Sequence, residues 1–168
     1  MADRGSKRSK ATSAPPPPPK VKPSPNDSHD VVFFRRHADD DPNELAPGMA
    51  ELESWPKSVR SKVTAVIAAV AGAPPMRFSG GGYWEAMKGD MKGWFEVRVD
   101  GPNREHFRLF CLLDYEAVDD NGDPVGKPYL TIIDGRRKAF KTTISAAEYA
   151  KVSALGDEYK RRNPRSVV

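Results

Sequence analysis

Between residues 31 and 162 the spacing of hydrophobic positions changes period several times, and each change marks an element. The run VVFFRR at 31–36 concentrates β-branched and aromatic side chains and predicts a first strand. A short helix is expected over 48–54. In SVRSKVTAVIAAVAGAPP, Val59, Val63, Val66, Ile67 and Val70 follow at intervals of four, three, one and three, which sets them on one face of a second helix. Ser58 is its candidate N-cap, and Gly72, Pro74 and Pro75 stop it. With the break at Pro56, the two pieces form a helical hairpin.

Beyond SGGG at 79–82 the period becomes two. In WFEVRVD, Phe95, Val97 and Val99 point to one side while Trp94, Glu96 and Arg98 point to the other. Asp100-Gly101-Pro102-Asn103 is a turn. The following EHFRLFCLLDY alternates Phe107, Leu109, Cys111 and Leu113 with His106, Arg108, Phe110 and Leu112, the pattern of a central strand. After DDNGDPVGKP comes a third strand of this group, YLTIID, with DGRRKAFK as a basic turn region beyond its end. Connections this short fit an antiparallel meander. Ser145-Ala146-Ala147-Glu148 is a capping box, with Ile144 and Tyr149 spaced for a hydrophobic staple, and it opens a helix expected to reach about Arg162 before Pro164. The fold class is α+β, a helical hairpin and a C-terminal helix packed on a twisted antiparallel sheet.

Composition refines this outline. A length of 168 residues suits one domain. Mean hydropathy is -0.64, and no apolar run approaches the roughly 18 residues of a membrane span. Pro15 to Pro19 stand where a secretory leader needs its apolar stretch, so a soluble, cytoplasmic protein is expected. Residues 1–30 hold seven of the 16 prolines, no aromatic residue, and six Lys or Arg against three acids, which predicts a disordered tail. Its PPPPP run is either a soluble spacer or a polyproline ligand. Residues 163–168 are expected to form a short basic C-terminal tail. Cys111 is the one cysteine, and three histidines without cysteine partners offer no zinc spacing, so neither disulfide nor metal nor other cofactor is expected. Asp119-x-Asn121-x-Asp123 is a polar turn rather than a calcium loop, because Pro124 takes the place of the required glycine. Ser79 to Gly82 lacks the Lys-Ser/Thr of a phosphate loop and is expected to be a hinge or flexible connection.

Charge matters through its distribution. From Trp84 to Val168 there are 15 Lys or Arg against 14 acids, but five of those acids, Asp114, Glu116, Asp119, Asp120 and Asp123, cluster in one expected loop. The remaining surface is basic and suited to phosphate.

In this order, the helical hairpin, the glycine-led strand GWFEVRV, then HFRLFCLL, then IIDGRRKAFKTT and finally ISAAEYAKVSAL, residues 31–162 resemble the RelE/HigB toxins (RelE/ParE superfamily) of type II toxin-antitoxin systems, in particular the phage-derived HigB-like branch. The resemblance implies a small RelE-like fold with a twisted antiparallel sheet. It also implies either metal-independent cleavage of messenger RNA on the ribosome or, as in gyrase-directed members, toxicity without nuclease activity. A cognate antitoxin protein would be the partner, with mRNA and the ribosome as target and no membrane involved.

Such cleavage has the 2′-hydroxyl attack the adjacent phosphate, which calls for a base, an acid and cations. Arg98 and Arg108 share the sheet face opposite the Phe95, Val97 and Val99 core if the hairpin register follows the 100–103 turn, and their guanidinium forks match phosphate. Arg98 is equally well explained by an ion pair with Glu96. His106 and Glu96 are the nearby groups of suitable acid-base character. By resemblance, Arg108 matches the family's catalytic arginine and Arg136, Arg137 and Lys138 match its basic pair, with Lys141 and Lys92 as further RNA-binding cations. Glu96 departs from the lysine that several ribonuclease members carry nearby. Tyr149 is explained by the staple without any catalytic role. Trp94 and Phe110 either stack on bases or are buried beneath the last helix.

Because no carboxylate or histidine cluster has ligand spacing, RNA cleavage by this chain is expected to survive EDTA. Activity abolished by EDTA and restored by magnesium would contradict that chemistry.

Overall fold

The computed structural model describes residues 14–168. Its chain order is β1 (Asp30–Phe33), α1 (Pro47–Ser54), α2 (Lys57–Gly72), β2 (Trp84–Ala86), β3 (Phe95–Asp100), β4 (His106–Asp114), β5 (Tyr129–Lys138) and α3 (Ala146–Lys160). The sheet order is β1-β5-β4-β3-β2. The helical hairpin, the central position of β4 and the terminal helix are as the sequence predicts. The sheet, however, is mixed: β1 runs parallel to β5, Asp30 facing Tyr129 and Phe33 facing Ile132, which corrects the wholly antiparallel expectation. Strands distant in sequence bring no local turn chemistry to announce such a pairing. Nor was β2 anticipated. Its three residues pair with β3 immediately after the glycine-rich stretch, too short a run to show a period.

Two layers cover the sheet. On one face Trp55, Val59, Val63, Ile67 and Val70 of the hairpin pack on Val97, Val99, Phe107, Leu109, Cys111 and Ile132. Gly48 lets α1 lie close to β5, since a Cβ there would come within 2.7 Å of the Ile132 side chain. The N-cap of α2 is Pro56 rather than Ser58. On the other face α3 covers Phe110, Leu112 and Ile133 with Val152 and Tyr159, and buries Trp94 as well. Gly156 is needed for that contact, because an added Cβ would sit 2.3 Å from the Trp94 ring. The capping box at Ser145 and Glu148 forms in both directions.

The segment DGRRK, expected as a turn, is the end of β5. Between Phe110 and Cys111 the β4·β5 register shifts: Phe110 faces Asp134, but Cys111 faces Ile132. Ile133 is thus the extra residue of a bulge. Strict alternation would place Asp134 and Arg136 on the hairpin face with Ile132. The bulge turns both onto the α3 face.

Both composition-based boundaries move outward. Residues 1–13 of the expected N-terminal tail lie outside the described residues. Further along, Lys20 pairs with Asp119 and Asp123, and His29 is buried, its backbone N–H donating to the Ala71 carbonyl at 2.8 Å. The final residues are no tail. The Phe33 and Val168 backbones exchange hydrogen bonds at 2.9 Å, and the Arg165 guanidinium reaches the buried Asp114 carboxylate at 2.7 Å. The Tyr159 hydroxyl also donates to Asp114, at 2.6 Å, and Thr131 bonds the same hydroxyl at 2.9 Å. Among the described residues no helix is long and apolar enough to cross a membrane.

Burial alone would raise the Asp114 pKa, but the hydrogen bonds from Arg165 and Tyr159 outweigh it and hold the carboxyl below its ordinary value. Arg165→Met should therefore cost about 3–5 kcal/mol in urea unfolding at neutral pH, because it strands a buried carboxylate. The Asp114 contribution is present above the unfolded-state pKa of about 4 and disappears as pH falls through the lower folded value, so the difference between Arg165→Met and wild type should shrink in acid. A loss below about 1 kcal/mol at neutral pH would mean the C-terminal segment is not integral.

Candidate functional site

The hairpin register sets Arg98 opposite Arg108, and the β4·β5 register sets Arg108 opposite Arg136. Three arginines thus form one row across three adjacent strands, neighbours about 5 Å apart. Their face is the one α3 packs upon. Tyr149, in the first turn of α3, meets Phe110 edge-on at a centroid distance of 5.9 Å. The helix covers the Phe110 to Leu112 end of β4; toward the other end the Arg108 and His106 side chains are 13% and 21% exposed, and Arg98 beside them is 45% exposed.

Carboxylates interleave with the row. Glu96, 5% exposed, accepts from Arg98 Nε at 2.7 Å and lies 3.9 Å from Arg108 Nε. Asp134 accepts from Arg136 at 2.7 Å. Three guanidinium groups meet the buried carboxylates of Glu96 and Asp134, and Glu148 lies 4.0 Å from Arg136, so each arginine has an acid beside it. Arg108 has its pKa lowered by burial, with Arg98 acting in the same direction against Glu96, yet remains charged as arginines do. Burial raises the Asp134 carboxyl despite the pull of Arg136.

His106 stands at the start of β4. Its Nδ1 lies 2.5 Å from Asp100 Oδ1. An ionised carboxylate only accepts, so the proton of this contact belongs on Nδ1, and in the neutral imidazole Nε2 is then the acceptor. Asp100, first taken as a turn residue, is therefore part of the site, and the clue was its place facing His106 across the hairpin. Tyr149 is the other addition. Its phenol is kept protonated chiefly by burial, with the Glu96 charge adding to the effect. An open groove of about 800 Å³ runs along this edge, lined by Arg98, Asp100, His106 and Arg108 from the sheet, Lys62 from α2 and the exposed Tyr83. Lys62 and Tyr83 carried no signal in sequence, because only the packing of α2 and the 79–83 segment brings them here.

Of the remaining candidates, Lys138 faces His106 across β4·β5 and donates to the Thr142 carbonyl at 3.0 Å, closing the end of the row. Lys141 lies just beyond, its Nζ 5.6 Å from the Phe140 ring centroid. Arg137 is not part of the cluster. It points to the hairpin face, 5.2 Å from the Phe107 ring centroid and 3.9 Å from Glu105. Lys92 is not in the row: it ends the short 3-10 turn Gly89–Met91 that precedes β3. Trp94 and Phe110 are buried under α3 and offer no stacking surface. Among the described residues, no three His, Cys, Asp or Glu side chains are grouped to hold a metal ion.

Compared with protein-family models, with curated proteins and with solved structures, the chain matches none.

If Glu96 competes with phosphate for Arg98 and Arg108, Glu96→Gln should tighten binding of a short 2′-deoxy oligonucleotide about fivefold, the effect of about 1 kcal/mol for one charge near 4 Å in water. Unchanged or weaker binding in a fluorescence polarisation titration would show that the carboxylate does not compete.

Proposed function

We propose that this protein is a toxin-like RNA-binding protein that cleaves RNA by metal-independent transesterification, with the row Arg98, Arg108 and Arg136 holding the scissile phosphate. The observation that carries the proposal is the sequence of groups along β4. His106, Arg108 and Phe110 succeed one another on one face at steps of about 7 Å, and Tyr149 rests on Phe110. An imidazole and a phenol therefore stand on either side of the Arg108 guanidinium along the strand.

In this scheme His106 Nε2, oriented by Asp100, takes the 2′-hydroxyl proton while O2′ forms a bond to phosphorus. Arg98 and Arg108 neutralise the added negative charge on the phosphoryl oxygens. The P–O5′ bond breaks and the Tyr149 hydroxyl gives its proton to O5′, leaving a 2′,3′-cyclic phosphate and a 5′-hydroxyl. Solvent exchange returns both groups to their starting states. Glu96 takes no proton here, because its carboxylate is committed to two arginines, and its part is to hold them. The resemblance to RelE/HigB toxins supports messenger RNA on the ribosome as the target and a cognate antitoxin as the partner.

A second reading, RNA binding or gyrase-directed toxicity without cleavage, is favoured by the fact that Arg98 and Arg136 already hold carboxylates. End-labelled RNA, free and on translating ribosomes, separates the two. Wild type should give cyclic-phosphate ends, and 2′-deoxy substitution at the cut should block them. Arg108→Ala should slow cleavage by about 100-fold, the usual effect of removing one preorganised donor of about 3 kcal/mol. His106→Asn and Tyr149→Phe should each lower the rate, while Arg161→Ala should not. Binding without cleavage under every condition would support the RNA-binding form of the second reading, and absence of RNA binding would refute cleavage and leave only the gyrase-directed form.

A further inference from the structure

A second cavity, of about 730 Å³, opens between α3 and the segment 85–91. One wall is made of small side chains on successive turns of α3: Ala146, Ala150 and Ser153. The other carries the thioethers of Met87 and Met91, with Met91 buried and Met87 half-buried. Thioethers are polarisable and adapt to flat aromatic surfaces, and the size falls within the usual range for small-molecule sites. Glu85, Ser153 and the Tyr149 hydroxyl supply polar groups beside these apolar walls, and Lys88, Asp90, Glu96 and Arg98 line the rest of the cavity.

Its position gives the slot a meaning. Arg98 lines both this cavity and the groove that holds Arg108 and His106. A phosphate on Arg98 therefore sits at the junction of the two, from which an attached nucleoside can reach the Met87 and Met91 thioethers and the small side chains of α3. We infer that the Met87/Met91 slot receives one nucleobase, that of the nucleotide adjoining the phosphate on Arg98, with Ser153, Glu85 and Tyr149 offering hydrogen bonds to its edge. This rests on the phosphate-binding role of the arginine row. It adds that the protein binds a phosphodiester together with one neighbouring base, so that its choice of cleavage position is read in this slot and not along the basic groove.

The test uses two noncleavable 2′-O-methyl dinucleotides, one with 2-aminopurine next to the phosphate and one with an abasic sugar in its place. Affinities are read by fluorescence for the first and by competition for the second, with the full-length protein. Wild type should bind the base-containing molecule about tenfold tighter, the scale of one stacked base. Its 2-aminopurine emission should change on binding. Ala150→Phe fills the slot without touching the arginines, and it should erase the difference while leaving abasic affinity unchanged. Ala146→Phe repeats the test at a second position, with far-UV circular dichroism confirming that each variant is folded. Equal affinity of wild type for both molecules overturns the inference and leaves the phosphate site standing, as does a preference that survives both filled variants. Binding of neither molecule, or binding indifferent to Arg98→Ala and Arg108→Ala, overturns the phosphate site and the inference with it.

Discussion

The Glu96 carboxylate is the fixed point of the candidate site. Three arginines at facing positions on adjacent strands would repel one another, and a buried carboxylate without cations would be equally unfavourable. Glu96 between Arg98 and Arg108, and Asp134 beside Arg136, remove both problems by alternating the signs. An ion pair with Glu96 and a part in phosphate binding are therefore not rival explanations of Arg98. The pair holds the guanidinium in place, and Arg98, with 45% of its side chain exposed, keeps a face open to a ligand.

How far the row is accessible depends on where α3 begins. The capping box at Ser145 and Glu148 starts the helix at Ala146, and Tyr149 meets the sheet at Phe110. At its other end, Tyr159 and Arg165 converge on Asp114, and the last residues pair with β1. Anchored at both ends, α3 spans one half of the face it packs on. The same strand, β4, thus contributes core at Phe110 and Leu112 and, one step of the pleat further, the partly exposed polar side chains of Arg108 and His106.

Much of this was legible in the sequence because a period of two declares itself locally. Arg98 and Arg108 on one face, the hairpin helices and the capped last helix all follow from spacing within a dozen residues. The features that escaped depend on contacts between distant segments. Arg136 and Arg137 look equivalent in sequence, and the bulge at Ile133 decides that Arg136 joins the row while Arg137 points to the other layer. Lys92, at the end of the short turn before β3, stays out of the row although its charge resembles the others. Arg165 and Val168 carry the composition of a tail, yet a buried aspartate and an open strand edge recruit them. Tyr149 fits a staple so well in sequence that its second neighbourhood, Glu96 and the arginines, was hidden behind it.

The central claim is that three arginines act together on phosphate, and the salt dependence of binding to a short single-stranded RNA, rendered noncleavable by 2′-O-methylation, measures it most directly. Each phosphate neutralised contributes about 0.7 to the slope of log K against log salt, so a row closed on the scissile phosphate predicts a slope of about -0.7. Replacement of Arg98, Arg108 or Arg136 should each weaken binding and lower the magnitude of the slope, while replacement of Arg137 should leave both unchanged. A slope near zero, or one that responds to Arg137 and not to the three arginines of the row, would contradict the account.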